Sequence, residues 1–200
     1  VSQRRRTRGA KPSMKPAEPV RLTTPLSEDQ ARSLRAGTRV LISGTAYTAR
    51  DAAHKRMTEL LAGGGALPFD ISGAVIYYAG PTPARPGKPV GAIGPTTSSR
   101  MDRYVAPLLA AGLRGMIGKG ERSDEVRQGL SRHGAVYFAA TGGAGALLAR
   151  HIVAAEVVAW PELGAEAVRR IELRDFPALV ACDSAGGDVY GQGREAWVQD

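Results

Sequence analysis

The sequence has a single cysteine, Cys182, among its 200 residues. No internal disulfide is possible, and no metal or iron–sulfur centre can be assembled from cysteines of this chain alone. No apolar run approaches the roughly 20 residues needed to span a bilayer, and the N-terminus lacks the charged, apolar and small-residue succession of a secretory signal. Those absences lead us to expect a cytoplasmic protein without a membrane span. Histidine is also scarce: His54, His133 and His151 have no metal-ligand spacing. What is present is 43% hydrophobic residues, enough in a chain of this length for one well-buried core.

The formal net charge of +8 would suit a nucleic-acid partner if it were spread over a folded surface. It is not spread. Arg4, Arg5, Arg6, Arg8, Lys11, Lys15 and Arg21 against Glu18 place +6 within the first 22 residues, leaving +2 for the rest. That segment is rich in proline and has no apolar period, which is the composition of a solvated extension. Residues 1–21 are therefore read as a basic, disordered tail and residues 22–195 as the domain, with no nucleic-acid partner expected.

Beyond the tail, strand and helix signals alternate. "TPLSEDQARSLRAG" (24–37) carries Ser27 and Gln30 at capping-box spacing, with Gly37 to end a short helix. "RVLIS" (39–43) reads as a strand. "TARDAAHKRMTELLAGG" (48–64) reads as a helix with Ala53, Met57, Leu60 and Leu61 on one face, Arg50 in its first turn and His54 one turn further. "AVIYYA" (74–79), a helix over about 99–111 with Met101, Val105, Leu108 and Leu109 as its stripe, and "RGMIG" (114–118) follow. Then come a helix capped by Ser123 and stopped by Gly134, and "AVYFA" (135–139). "EVVAW", "RRIEL" and "ALVACD" supply further strands. The alternation predicts an α/β domain with a largely parallel sheet.

Several stretches invite a functional reading that their details do not support. "TGGAGALL" (141–148) lacks the glycine spacing of a dinucleotide fingerprint and reads as a tight turn. In "GMIGKGERS" (115–123) Lys119 is followed by Gly120 rather than by a hydroxyl residue that could reach magnesium, so no phosphate loop is present. Cys182 sits in an apolar strand as a small core residue. What remains is a recurring placement of polar residues where strands end and helices begin: Arg50, the cluster "TTSSR" (96–100) and Lys119. In parallel α/β sheets ligands bind at that edge. Two guanidinium forks, an ammonium and helix N-termini suit a small acid.

Six stretches, "TARDAAHKR" (48–56), "GAVIYYAGPTP" (73–83), "GPTTSSRMD" (94–102), "MIGKGERSDEV" (116–126), "VYFAATGGAGALL" (136–148) and "DFPALV" (175–180), together resemble the β subunit, or C-terminal domain, of class I, iron–sulfur-dependent fumarate hydratases. The L-tartrate dehydratase β subunit belongs to the same family. The resemblance runs from about Leu22 to about Tyr190. Ser99 stands where the fumarase pattern commonly has Gly, a departure that leaves Thr96 and Arg100 in place.

The resemblance implies a swivelling three-layer β/β/α domain that completes an active site with a second polypeptide. That partner, the α chain, would hold a 4Fe-4S cluster through three cysteines of its own, in a heterotetramer of two α and two β chains. Arg50, Arg100 and Lys119 match the groups that hold the dicarboxylate substrate, and Thr96 the hydroxyl assigned to proton transfer. The reaction implied is the interconversion of (S)-malate and fumarate plus water, with dehydration of L-tartrate or another hydroxy-diacid as the alternative.

Overall fold

The computed structural model describes residues 17–195. Most of the basic segment lies outside the described residues; Val20 and Arg21, at its end, already belong to the first strand.

In chain order the elements are β1 (Val20–Thr24), α1 (Glu28–Ser33), β2 (Arg39–Thr48), α2 (Asp51–Ala62) and β3 (Val75–Tyr77). A 3-10 turn (Ser98–Met101) leads into α3 (Asp102–Ala110). They are followed by β4 (Gly115–Gly118), α4 (Asp124–His133), β5 (Val136–Ala139), α5 (Gly145–Leu148), β6 (Ile152–Ala159), β7 (Val168–Cys182) and α6 (Val189–Glu195). Local chemistry sets several of these boundaries. Ser27 and Gln30 close a reciprocal capping box at the start of α1. Ser123 accepts from Val126 N at the start of α4, and Gly134 ends that helix in the left-handed region at φ 59°.

The sheet order is β1-β2-β3-β4-β5-β7-β6, with β7 also pairing β2. Strands β1 to β5 run parallel to their neighbours, whereas β7 is antiparallel to β2, β5 and β6. The fold is therefore α/β with a mixed sheet, and β2, β3, β4, β5 and β7 close into a barrel-like ring. The expectation of a largely parallel sheet misses this because strand direction is set by connections, which hydrophobic period does not encode. "RRIEL" and "ALVACD", read as two strands, are halves of the 15-residue β7. The strand passes "RDFP" through an irregularity opposite Ile42 and Gly44, where Asp175 adopts φ 48° and its N–H is bound by Ser43 Oγ at 2.9 Å.

Side chains alternate between two cores. One gathers residues from all five ring strands: Ile42, Val75 and Tyr77, Ile117, Val136 and Phe138, Phe176 and Val180. The other lies under α2, α3 and α4 and takes the intervening residues Ile76, Tyr78, Met116 and Tyr137. Strands β3 to β5 are covered on both faces, which explains their unbroken apolar sequences. The stripe Met101, Val105, Leu108 and Leu109 is buried as expected. On α2 the pattern differs: Leu60 is 37% exposed, while His54 is fully buried beside Ala53 and Met57.

Candidate active site

The parallel strands β2, β3 and β4 all point their C-terminal ends at one edge of the domain, and the four sequence-derived residues stand there. Arg50 follows β2, Lys119 follows β4, and Thr96 and Arg100 lie on the chain returning to that edge.

Strands β3 and β4 part after Tyr77 and Gly118, and residues 96–98 fill the fork. Thr96 N donates to Tyr78 O at 2.6 Å, Lys119 N donates to Thr96 O at 3.2 Å, and Ser98 N donates to Lys119 O at 2.9 Å. Thr96 and Lys119 are thus locked together through the backbone. The fit depends on Gly118, since a Cβ there would lie 1.9 Å from Ser98 Oγ. The run of hydroxyls splits by direction. Ser98 is buried and bonded to Tyr137 OH at 2.9 Å, and Tyr137 OH donates onward to Gly120 O. Thr96 is half-buried, and Thr97 and Ser99 are exposed.

Arg50 is the N-cap of α2 rather than a first-turn residue, and the Thr48 hydroxyl, at the end of β2, accepts from Arg169 N. The Arg50 carbonyl accepts from His54 N at 2.8 Å and from His54 Nδ1 at 2.9 Å. A carbonyl only accepts, so the proton of His54 sits on Nδ1. Burial holds the ring neutral, its pKa pushed down to about 4. The guanidinium of Arg50 lies 3.4 Å from Glu166 Oε1 through Nη2, while its Nε is buried with no acceptor. A charged donor in that state favours an incoming anion.

Arg100 is half-exposed and engaged with Asp51, by Nε to Oδ1 at 3.0 Å and by Nη2 to Oδ2 at 2.9 Å. The second contact is close but poorly aligned, and Oδ2 has no true hydrogen bond. Lys119 is exposed, and its stem runs past Gly142, where an added Cβ would come within 3.4 Å of Cδ.

The expectation that helix N-termini would be open for an anion needs correcting. The start of α2 is occupied by the chain's own carboxylates, Asp51 in the first turn and Glu166, which accepts from Ala52 N at 2.9 Å. Helix α3 is preceded by a 3-10 turn and begins with Asp102. The positive charge at this edge is carried by the side chains of Arg50, Arg100 and Lys119.

Beneath the fork lies a group that the sequence did not mark. Arg122 is 4% exposed, with its guanidinium 5.4 Å from the Tyr78 ring centre and 4.9 Å from that of Tyr137. Its Nε donates to Asp102 Oδ1 at 2.8 Å, and Asp102 Oδ2 accepts from Ser123 N. This clamp ties the start of α3 to the segment after β4.

The four residues line an open edge. A groove of about 490 Å³, bounded by Thr82, Val90, Glu156, Ala165 and Arg169, contains none of them. The residues do not fit an iron–sulfur cluster either. Cys182 is buried, and burial pushes its thiol up to about 12. Among the described residues no group of three His, Cys, Asp or Glu side chains could hold a metal ion.

The buried neutral imidazole makes stability depend on pH. Its folded pKa lies below the ordinary 6.5, so its contribution is complete above pH 6.5 and is lost as pH falls toward 4, where the unfolded chain takes up the proton first. Between pH 7.5 and pH 4, the wild type is expected to lose about 3 kcal/mol more than His54→Asn, whose amide can still donate to Arg50 O. Urea unfolding of both proteins measures the difference; equal losses would place a charged histidine in the folded state.

Fold and site together define an α/β domain that offers a hydroxyl and three cations at the carboxyl ends of consecutive parallel strands. The chain belongs to the fumarase C-terminus family, whose model matches residues 3–193. It is 41% identical over 177 residues to the anaerobic class I fumarate hydratase of Escherichia coli K12, covering 86% of this chain and 32% of that protein. It is also 41% identical over 158 residues to fumarate hydratase 2 of Leishmania major, covering 78% of this chain and 28% of the relative. A Methanocaldococcus jannaschii protein provisionally named L(+)-tartrate dehydratase subunit beta is 36% identical over 171 residues, covering 82% of this chain and 88% of that one. The chain thus spans about a third of the fumarate hydratases it matches.

Proposed function

We propose that the chain is the β side of a two-component iron–sulfur hydro-lyase that interconverts (S)-malate and fumarate plus water. The observation that carries this reading is the meeting of Arg50, Thr96, Arg100 and Lys119 at the carboxyl ends of β2, β3 and β4. In this reading the domain is the swivelling three-layer β/β/α unit of a cytoplasmic heterotetramer of two α and two β chains.

Arg50 and Arg100 hold the carboxylates of the substrate, by planar forks that match a carboxylate in a bidentate way. Breaking the C–H bond puts charge on the adjacent carboxylate, and Lys119 together with the guanidiniums stabilises that charge as it builds. Thr96 exchanges the proton at that carbon. A hydroxyl is a poor base at its ordinary pKa; nearby cations and an acid or base of the partner must make it competent. We assign the 4Fe-4S cluster, and with it activation of the hydroxide leaving group, to the partner α chain.

A second reading, the β subunit of an L-tartrate dehydratase, is favoured by one fact: the chain covers nearly all of the relative of that name and only a third of the fumarate hydratases. Higher identity favours the malate reading.

The purified chain is expected to contain no iron and to leave malate and tartrate unchanged. Anaerobic mixing with the cysteine-bearing α chain should produce turnover, and the faster substrate of the two decides between the readings. Hydration or dehydration by the chain alone would refute the split site.

A further inference from the structure

We propose that Asp51 is a positioning residue for Arg100: it grips one edge of the guanidinium and thereby turns the other edge toward the substrate carboxylate. The inference rests on the site assigned above and concerns how Arg100 is made ready for it.

A guanidinium has two edges that can meet a carboxylate, Nε with one Nη and the pair Nη1 with Nη2. Asp51 occupies the first, through Nε to Oδ1 at 3.0 Å and Nη2 to Oδ2 at 2.9 Å. One N–H of Nη1 and the second N–H of Nη2 remain on the opposite edge. Arg100 is the more exposed of the two, with 50% of its side chain accessible against 26% for Asp51. A half-exposed arginine without such a partner must lose considerable rotamer entropy on binding; one already held loses less.

The support is itself rigid. Asp51 begins α2, and the residues on either side of it are fixed, Ala52 by Glu166 through its N–H and Arg50 by the two hydrogen bonds its carbonyl accepts from His54. The same helix start therefore carries one substrate cation, Arg50, and the aligning carboxylate of the other. Asp51 Oδ2, buried and without a well-formed hydrogen bond, binds Arg100 electrostatically and leaves the fork small freedom to adjust as substrate arrives.

The test is a double-mutant cycle in the reconstituted enzyme. Asp51→Ala is expected to raise KM for malate about 10-fold with kcat within about threefold, because positioning is lost while the charge of Arg100 stays. Asp51→Asn, which keeps an acceptor for Nε, should return KM to within about threefold of wild type. In an Arg100→Met background, Asp51→Ala should add nothing. Unchanged KM in Asp51→Ala, or an effect that multiplies with that of Arg100→Met, overturns the proposal. Unchanged KM in Arg100→Met instead overturns the role of Arg100 itself, and this inference with it.

A second readout needs no turnover. The Arg100 Nε–H signal in nitrogen-15 NMR of the full chain, identified by its loss in Arg100→Met, should show slow solvent exchange in the wild type and in Asp51→Asn. It should exchange rapidly in Asp51→Ala. Identical exchange in the wild type and Asp51→Ala would show that the grip does not form.

Discussion

Thr96→Val in the reconstituted enzyme is expected to lower kcat by about 100-fold or more, while KM stays within a few-fold. Valine is nearly isosteric with threonine but has no proton to exchange. The backbone bonds that seat residue 96, to Tyr78 O and from Lys119 N, are untouched by the change. Residue 96 lies in the fork between β3 and β4, with a half-buried side chain, so folding should be little affected. A purely structural hydroxyl would cost only about 1 kcal/mol of stability and leave turnover intact. Steady-state kinetics, with iron content checked in each preparation, distinguish these outcomes: near-normal kcat would move proton transfer to the partner chain.

Arg122→Met is expected to destabilise the domain by about 3–5 kcal/mol, the usual result of removing one member of a buried ion pair. Asp102 would remain only 14% exposed, bonded to Ser123 N but without its cation, and Tyr78 and Tyr137 would lose the charge lying over their rings. Adding Asp102→Asn to Arg122→Met should recover part of the loss, since the stranded carboxylate is then neutral while an acceptor for Ser123 N remains. Urea denaturation of the single and double variants measures both terms. A loss below about 1 kcal/mol for the single variant would mean that Arg122 is solvated rather than clamped.

Much of the architecture was legible because it is written locally. Ser27 with Gln30, Ser123 and Gly134 fix helix ends through bonds spanning a few residues. The stripe from Met101 to Leu109 reports burial through helical period. Placement at strand ends was likewise sufficient to bring Arg50, Thr96, Arg100 and Lys119 to one edge. The partners of these residues were not legible. Asp51 meets Arg100, and Glu166 meets Arg50, across long stretches of chain, and nothing in "RDAAH" or "LGAEA" announces an ion pair. Nothing in "GERSD" set Arg122 apart, yet it is buried among aromatic rings. On α2, Ala53 and Met57 of the expected stripe are buried, but His54 joins them, while Leu60, near the C-terminal end of the helix, is 37% exposed.

The long β7 strand, which closes the ring against β2, has a bearing on how the chain acquires its structure during synthesis. The pairing joins residues 39–48 to residues 169–179, so the cost of closing so large a loop must be met before its reward arrives. Until β7 leaves the ribosome, β2 and β5 each present an unsatisfied edge, a template for mispairing with other chains. The strands and cations of the site are all made before the segment that fastens them together. Ring closure is thus a late event, and stalled or truncated products that end before Val168 would expose hydrophobic strand edges to chaperones and proteases.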